Sequence, residues 1–118
     1  MSDVTVLHNP KCSTSRAAIE TVDAAGVQAE VVQYLKEPLD EAALRELIGK
    51  LEDEPTDLVR RDSFFKEQGL TDADVATVDQ VVAVLVEHPR LMQRPVIVKG
   101  ERAIIGRPKD RVAPFVGE

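Results

Sequence analysis

Apolar positions along the chain change period several times, and each change marks an element. "DVTVLH" (3–8) alternates β-branched residues and gives way to "NPK", a strand followed by a turn. From Thr14 to Ala25, Ala18, Ile19, Val22 and Ala25 share one helical face, and Gly26 is a natural terminator. "QAEVVQYL" (28–35) reads as a second strand, so strand, helix and strand form a βαβ unit with parallel strands and a right-handed crossover.

The period then lengthens. In "DEAALRELIGKL" (40–51), Leu44, Leu47, Ile48 and Leu51 stand at amphipathic-helix spacing. "PTDLVRRDSFFKEQG" (55–69) predicts one or two short helices, on which only one of the neighbours Arg60 and Arg61 faces inward. "TVDQVVAVLVEHP" (77–89) opens with a capping box of Thr77 and Gln80 and must stop by Pro89. Strand signals return in "PVIV" (95–98) and "RAIIG" (102–106), a hairpin turning at Lys99-Gly100-Glu101. "PKDRVAPFV" (108–116) predicts a last short helix, with Pro108 at its first position and Pro114 cutting it short.

The order βαβ, helices, ββα predicts an α/β fold. It is a thioredoxin/glutaredoxin-like four-stranded mixed sheet with an all-helical insertion at about 40–88, in a single domain over 1–118. Pro95 is then a candidate cis-proline that sets Arg94 beside the loop after the first strand, where ligands of open α/β sheets collect.

Composition narrows the class. The chain has 118 residues, 43% of them hydrophobic and 31% charged, ordinary for a soluble globular protein. The absence of an apolar span or a leader-like start predicts no membrane insertion and a cytoplasmic location. A net charge of −6 argues against general nucleic-acid binding. The charge is uneven, however: seven basic residues against two acidic ones lie between His88 and Arg111. Such a segment suits a small anion.

The chain's one cysteine, Cys12, excludes an internal disulfide. It stands at the loop–helix junction of "HNPKCSTSR", where the free N–H groups of Ser13, Thr14, Ser15 and Arg16 face an anion or a thiolate. Lys11 and Arg16 add positive charge, so Cys12 is read as reactive rather than as an inert core thiol. His8 ends the strand, either to orient the thiolate or to fill the strand end, while Asn9 and Pro10 shape the turn. Only three residues separate Cys12 from Arg16, too short a loop for a cysteine phosphatase, and serine stands where a CxxC dithiol needs its second cysteine. An oxidised or adducted Cys12 must therefore be resolved by a thiol from outside the chain.

"HNPKCSTSR", "VRR" (59–61), "HPRLMQRPVIV" (88–98) and "IGRP" (105–108) together resemble the glutaredoxin-coupled arsenate reductase family, in the same order and almost from end to end. The resemblance implies Cys12 as nucleophile, His8 as a thiolate partner, and Arg60, Arg94 and Arg107 as oxyanion ligands. It further implies arsenate as substrate, no bound cofactor, a low-molecular-weight thiol such as glutathione as co-substrate, and a glutaredoxin-type protein as partner. A monomer is expected. Two departures are visible: Ser13 stands where many members have glycine, and the chain lacks the longer tail of some reductases. The same fold also serves RNA-polymerase-binding regulators and monothiol glutaredoxin-like thiol transferases, the two alternative readings.

Overall fold

In the computed structural model, which describes residues 3–117, the opening alternation folds as strand β1, Val4–His8. Helix α1 (Ser13–Ala24) and strand β2 (Ala29–Gln33) complete the βαβ unit, with β1 and β2 parallel from Val4↔Ala29 to His8↔Gln33. Strand β2 is shorter than its apolar pattern, because the chain turns after Gln33 and Lys36 N–H closes on the Gln33 carbonyl at 2.9 Å. The hairpin is strands β3 (Val96–Lys99) and β4 (Arg102–Ile105), turning through Gly100 at φ 62°. Strand β3 runs antiparallel to β1, giving the sheet order β2-β1-β3-β4. This is the mixed four-stranded thioredoxin-like sheet expected from the sequence.

Alternation in β1 divides the core. Val4 and Val6 face α1 and the C-terminal helix α5 (Val112–Val116), joined by Ala18, Val22, Ile97, Ile104 and Phe115. Leu7, Val96, Ala103 and Ile105 face the helical insertion instead. There α2 (Glu41–Lys50), α3 (Ser63–Glu67) and α4 (Val78–Glu87) contribute Leu44, Leu47, Phe65, Val81 and Leu85. Val6 and Ile97 are fully buried, and each such side chain contributes about 1.5–3 kcal/mol. Asp40 caps α2 and Asp62 caps α3, each accepting a backbone N–H of the first turn.

Several boundaries differ from the sequence expectation. Residues 55–69 form a 3₁₀ turn (Pro55–Leu58) and then α3, with Arg60 and Arg61 between them rather than on a helix. A 3₁₀ turn over Pro89–Leu91 follows α4 directly, and another over Asp72–Val75 lies under a Thr71 capping box. At the C-terminus Pro108 precedes a 3₁₀ turn (Lys109–Arg111), and Pro114 does not shorten α5. It occupies the first turn, where a helical N–H has no intrahelical acceptor and its loss costs little.

The pairing register brings four chain segments to one edge of the sheet. Parallel β1 and β2 both end there, at His8 and just before Tyr34, and Leu7↔Val96 and Val96↔Ile105 put the start of β3 and the end of β4 beside them. Cys12, Tyr34, Arg94 and Arg107 thus follow or precede neighbouring strand ends.

Candidate active site

The loop after β1 is braced from both sides. Asn9 accepts the Lys11 N–H on Oδ1 at 2.9 Å, and the Cys12 N–H on its backbone carbonyl at 3.0 Å. From α1, the fully buried Ser15 accepts the Asn9 N–H on Oγ at 3.0 Å, and Arg16 donates to the Pro10 carbonyl at 2.8 Å. Cys12 is the N-cap of α1, in extended conformation, so its sulfur stands where a serine or aspartate oxygen commonly receives first-turn N–H groups.

The thiol is surrounded by donors. Arg107 donates from Nη2 to Sγ at 3.2 Å. Burial pushes the thiol pKa up, but the Ser15 N–H, the Arg94 guanidinium, the Arg107 charge and the Thr14 N–H outweigh it and hold it below the ordinary value. Helix dipole and guanidinium charge act in the same direction.

His8 is tied to α1 through Ser15. Its Nδ1 lies 2.6 Å from Ser15 Oγ, and the ring is buried. Burial and the Arg16 charge lower its pKa, which favours the neutral imidazole. Through Ser15 it holds the loop. Thr14 and Ser15 act on the thiol through backbone N–H groups. Ser13 is exposed at the start of α1, and Arg16 braces the Pro10 carbonyl.

The three remaining arginines arrive from three elements. Arg94 and Arg107 each precede a cis-proline, Pro95 and Pro108. Arg107 also donates from Nε to the Arg94 carbonyl at 2.8 Å, which fixes the two segments together. Gly106 permits that approach, since a Cβ there would meet Pro95 Cγ at 2.8 Å. Arg60 is delivered by a two-sided bridge: Val59 pairs antiparallel with Met92, Arg60 N–H bonds the Leu91 carbonyl, and Gln93 N–H bonds the Leu58 carbonyl, both at 2.7 Å. Arg60 lines a cavity of about 220 Å³ with Arg61, Gln93 and Arg107, and Arg61 is further held by the Thr56 and Val59 carbonyls and by Asp72.

Two of these guanidinium groups are incompletely satisfied. Arg60 Nε and Arg94 Nε are buried without a hydrogen-bond acceptor, although Asp62 lies 3.5 Å from the former as an ion pair. Leaving a buried charged N–H unmade is costly, and a tetrahedral oxyanion is a natural source of the missing acceptors.

Sequence reasoning missed Tyr34. Its phenol is almost fully buried, 3.5 Å from the Met92 carbonyl, and burial raises its pKa against the opposing influence of Arg94, Asn9 and Arg60. The signal was available, because it is the chain's one tyrosine and stands at the C-terminal end of a parallel strand. Gln93, whose buried Oε1 has no partner, was also passed over beside Arg94.

Known proteins share this fold. The chain matches the ArsC family over residues 7–115. It is 37% identical over 116 residues to YfgD, an uncharacterized protein of Escherichia coli K12, covering 97% of each chain. It is 33% identical over 114 residues to a Neisseria meningitidis protein named arsenate reductase, covering 95% of this chain and 97% of that one. The solved structure of arsenate reductase from Vibrio cholerae superposes with a TM-score of 0.85 at 31% identity, over 96% of this chain and 97% of that one. From its fold, the whole length of its match and these relatives, the chain belongs to the ArsC family.

Proposed function

We propose that the protein reduces arsenate to arsenite, with Cys12 as nucleophile and Arg60, Arg94 and Arg107 as the oxyanion ligands. The observation that carries this reading is the pair of buried guanidinium N–H groups on Arg60 and Arg94 that lack a hydrogen-bond acceptor, together with a sulfur that already receives an N–H from Arg107 at 3.2 Å. A thiolate approaching a tetrahedral dianion meets like-charge repulsion. Guanidinium groups neutralise that charge and fit paired oxygens.

The chemistry balances with two external thiols. The Cys12 thiolate attacks arsenic(V), forming a sulfur–arsenic bond, and one arsenate oxygen leaves as water after protonation. A glutathione-type thiol then enters. It forms a disulfide with Cys12, and the sulfur–arsenic electron pair departs with arsenic as arsenite. Arsenic gains two electrons and the two sulfurs lose one each. A second external thiol, carried by a glutaredoxin-type protein, exchanges into the Cys12 disulfide and restores the thiol, since no second cysteine exists in the chain. Such a cycle needs a reducing compartment, which fits the cytoplasm and a monomeric enzyme meeting its partner transiently. Among the described residues no helix is long and apolar enough to cross a membrane.

Arsenite formation from arsenate by wild type and Cys12→Ser tests the proposal, with glutathione plus glutaredoxin in one arm and mycothiol plus mycoredoxin in the other. Arsenite from wild type alone supports it and identifies the reductant. No arsenite in either arm from folded protein overturns it, and directs attention to disulfide substrates or a polymerase partner.

A further inference from the structure

Strand β4 is an outer strand of the sheet, and its last residue, Ile105, turns both main-chain groups off the open edge. Such groups need partners, since a bare strand edge leaves its N–H and C=O groups unpaired. Two residues earlier the partner is main chain: Leu51 bridges Ala103 in parallel, and the Glu52 N–H donates to the Ala103 carbonyl at 2.8 Å. At Ile105 side chains take over. Asp53 Oδ2 accepts the Ile105 N–H at 2.9 Å, and Arg111 Nη1 donates to the Ile105 carbonyl at 2.9 Å. A carboxylate and a guanidinium stand where the next strand's carbonyl and N–H would be.

The two side chains also bond each other. Arg111 Nη1 donates to Asp53 Oδ1 at 2.8 Å and to the Arg107 carbonyl at 3.3 Å. The Gly106 N–H bonds the Pro95 carbonyl at 2.8 Å and the Arg111 N–H bonds the Pro108 carbonyl at 3.0 Å, so the main chain is held on both sides of Arg107. That is the residue whose guanidinium reaches Cys12 Sγ. Both clamping residues are themselves anchored. Val112, fully buried, follows Arg111, and Asp53 stands two residues before the 3₁₀ turn that leads to Arg60. The Asp53 side chain is 17% exposed, against 39% for Glu52 in the neighbouring Glu52–Arg102 pair, so solvent screens it less.

We infer that Asp53 and Arg111 are positioning residues for Arg107. Their ion pair fixes the backbone of Ile105 and Arg107, so that the guanidinium stays on the Cys12 sulfur and keeps its distance from the segment that carries Arg60. The role rests on the reductase reading, in which Arg107 holds the oxyanion beside that sulfur.

The test is the pH dependence of Cys12 alkylation by iodoacetamide in the full chain, since a residue that only stiffened the edge would leave the thiol's titration alone. Asp53→Ala is expected to move the midpoint to higher pH, in the direction of Arg107→Ala. The rate below the midpoint should fall roughly three- to tenfold, part of what a neighbouring opposite charge contributes. Asp53→Asn keeps an acceptor for the Ile105 N–H while removing the charge that holds Arg111, so it carries the same expectation with the edge intact. With Arg107→Ala already present, neither change is expected to shift the midpoint further. Glu52→Ala, which breaks the neighbouring ion pair with Arg102, is expected to leave it unchanged. An unshifted midpoint in Asp53→Asn, a shift that adds in full to that of Arg107→Ala, or an equal shift in Glu52→Ala would each overturn the proposal. The two readings fail separately, because the thiol's titration needs no arsenate. A coupled shift without arsenite formation removes the reductase and leaves the clamp, and arsenite formation with an unshifted midpoint does the reverse.

Discussion

Arg107 donates from one edge of its guanidinium to the Arg94 carbonyl at 2.8 Å, and from another to Cys12 Sγ at 3.2 Å. One side chain thereby ties Arg94, two residues before β3, to the residue that caps α1, across the width of the candidate active site. The geometry depends on the planar fork of arginine, because a lysine is a single rotatable point charge.

Replacing Arg107 with alanine is therefore expected to lower kcat/KM for arsenate about 100-fold, the scale of losing a charge-assisted hydrogen bond of about 1.5–3 kcal/mol. Arg107→Lys should recover only part of that loss. Steady-state kinetics on the two variants checks the order, and equal activity of lysine and arginine enzymes would show that the fork is not used.

Cys12 reactivity should follow a pKa below the ordinary thiol value, because nearby N–H donors and guanidinium charge outweigh burial. Alkylation by iodoacetamide is expected to rise through that lowered pKa and to shift toward higher pH in Arg107→Ala. The linked stability has a definite sign. An acid whose pKa is depressed on folding adds stability above its unfolded pKa and loses it as pH falls through the folded pKa. His8, also depressed, weakens the fold in the same direction below about pH 6.5. Urea midpoints measured from pH 9 down to pH 5 should fall, with the Cys12 part absent in Cys12→Ser.

Ser15→Ala should destabilise the protein by about 1–3 kcal/mol, since the buried Asn9 N–H and His8 Nδ1 both lose their partner. Urea unfolding measures it. A change below about 0.5 kcal/mol would mean that water replaces the hydroxyl despite the burial of the site.

Tyr34→Phe removes a phenol set among Arg94, Asn9 and the Met92 carbonyl while keeping the ring that packs the core. The expected result is a several-fold rise in KM for arsenate with stability changed by about 1 kcal/mol or less. An unaltered KM would confine Tyr34 to packing.

Two glycines should respond in opposite ways to alanine. At Gly106 the added Cβ meets Pro95 Cγ at 2.8 Å and Val112 Cγ2 at 3.2 Å, so overpacking is expected to cost about 1–3 kcal/mol and to displace Arg107. At Gly49, inside α2, a Cβ meets nothing within 4 Å, and alanine should stabilise by about 0.5–1 kcal/mol. Thermal unfolding of both variants separates the cases.

Local pattern was enough for much of the architecture. Alternation marked β1, period and caps marked α2 and α4, and the Lys99-Gly100-Glu101 turn marked the hairpin, because these signals depend on residues close in sequence. The position of Cys12 at the start of a helix was legible for the same reason. Arg60 was not. It comes to the site through the Val59–Met92 bridge, between segments more than thirty residues apart, and no local period records such a pairing. His8 shows the same limit. Its place at the end of β1 is written in the chain, but only packing buries its ring and turns Nδ1 onto Ser15 rather than Cys12. Strand ends, helix starts and the single thiol were thus determined by the sequence alone. Which donors surround that thiol, and which are left buried without an acceptor, was decided only when the sheet register and the helical insertion brought distant segments into contact.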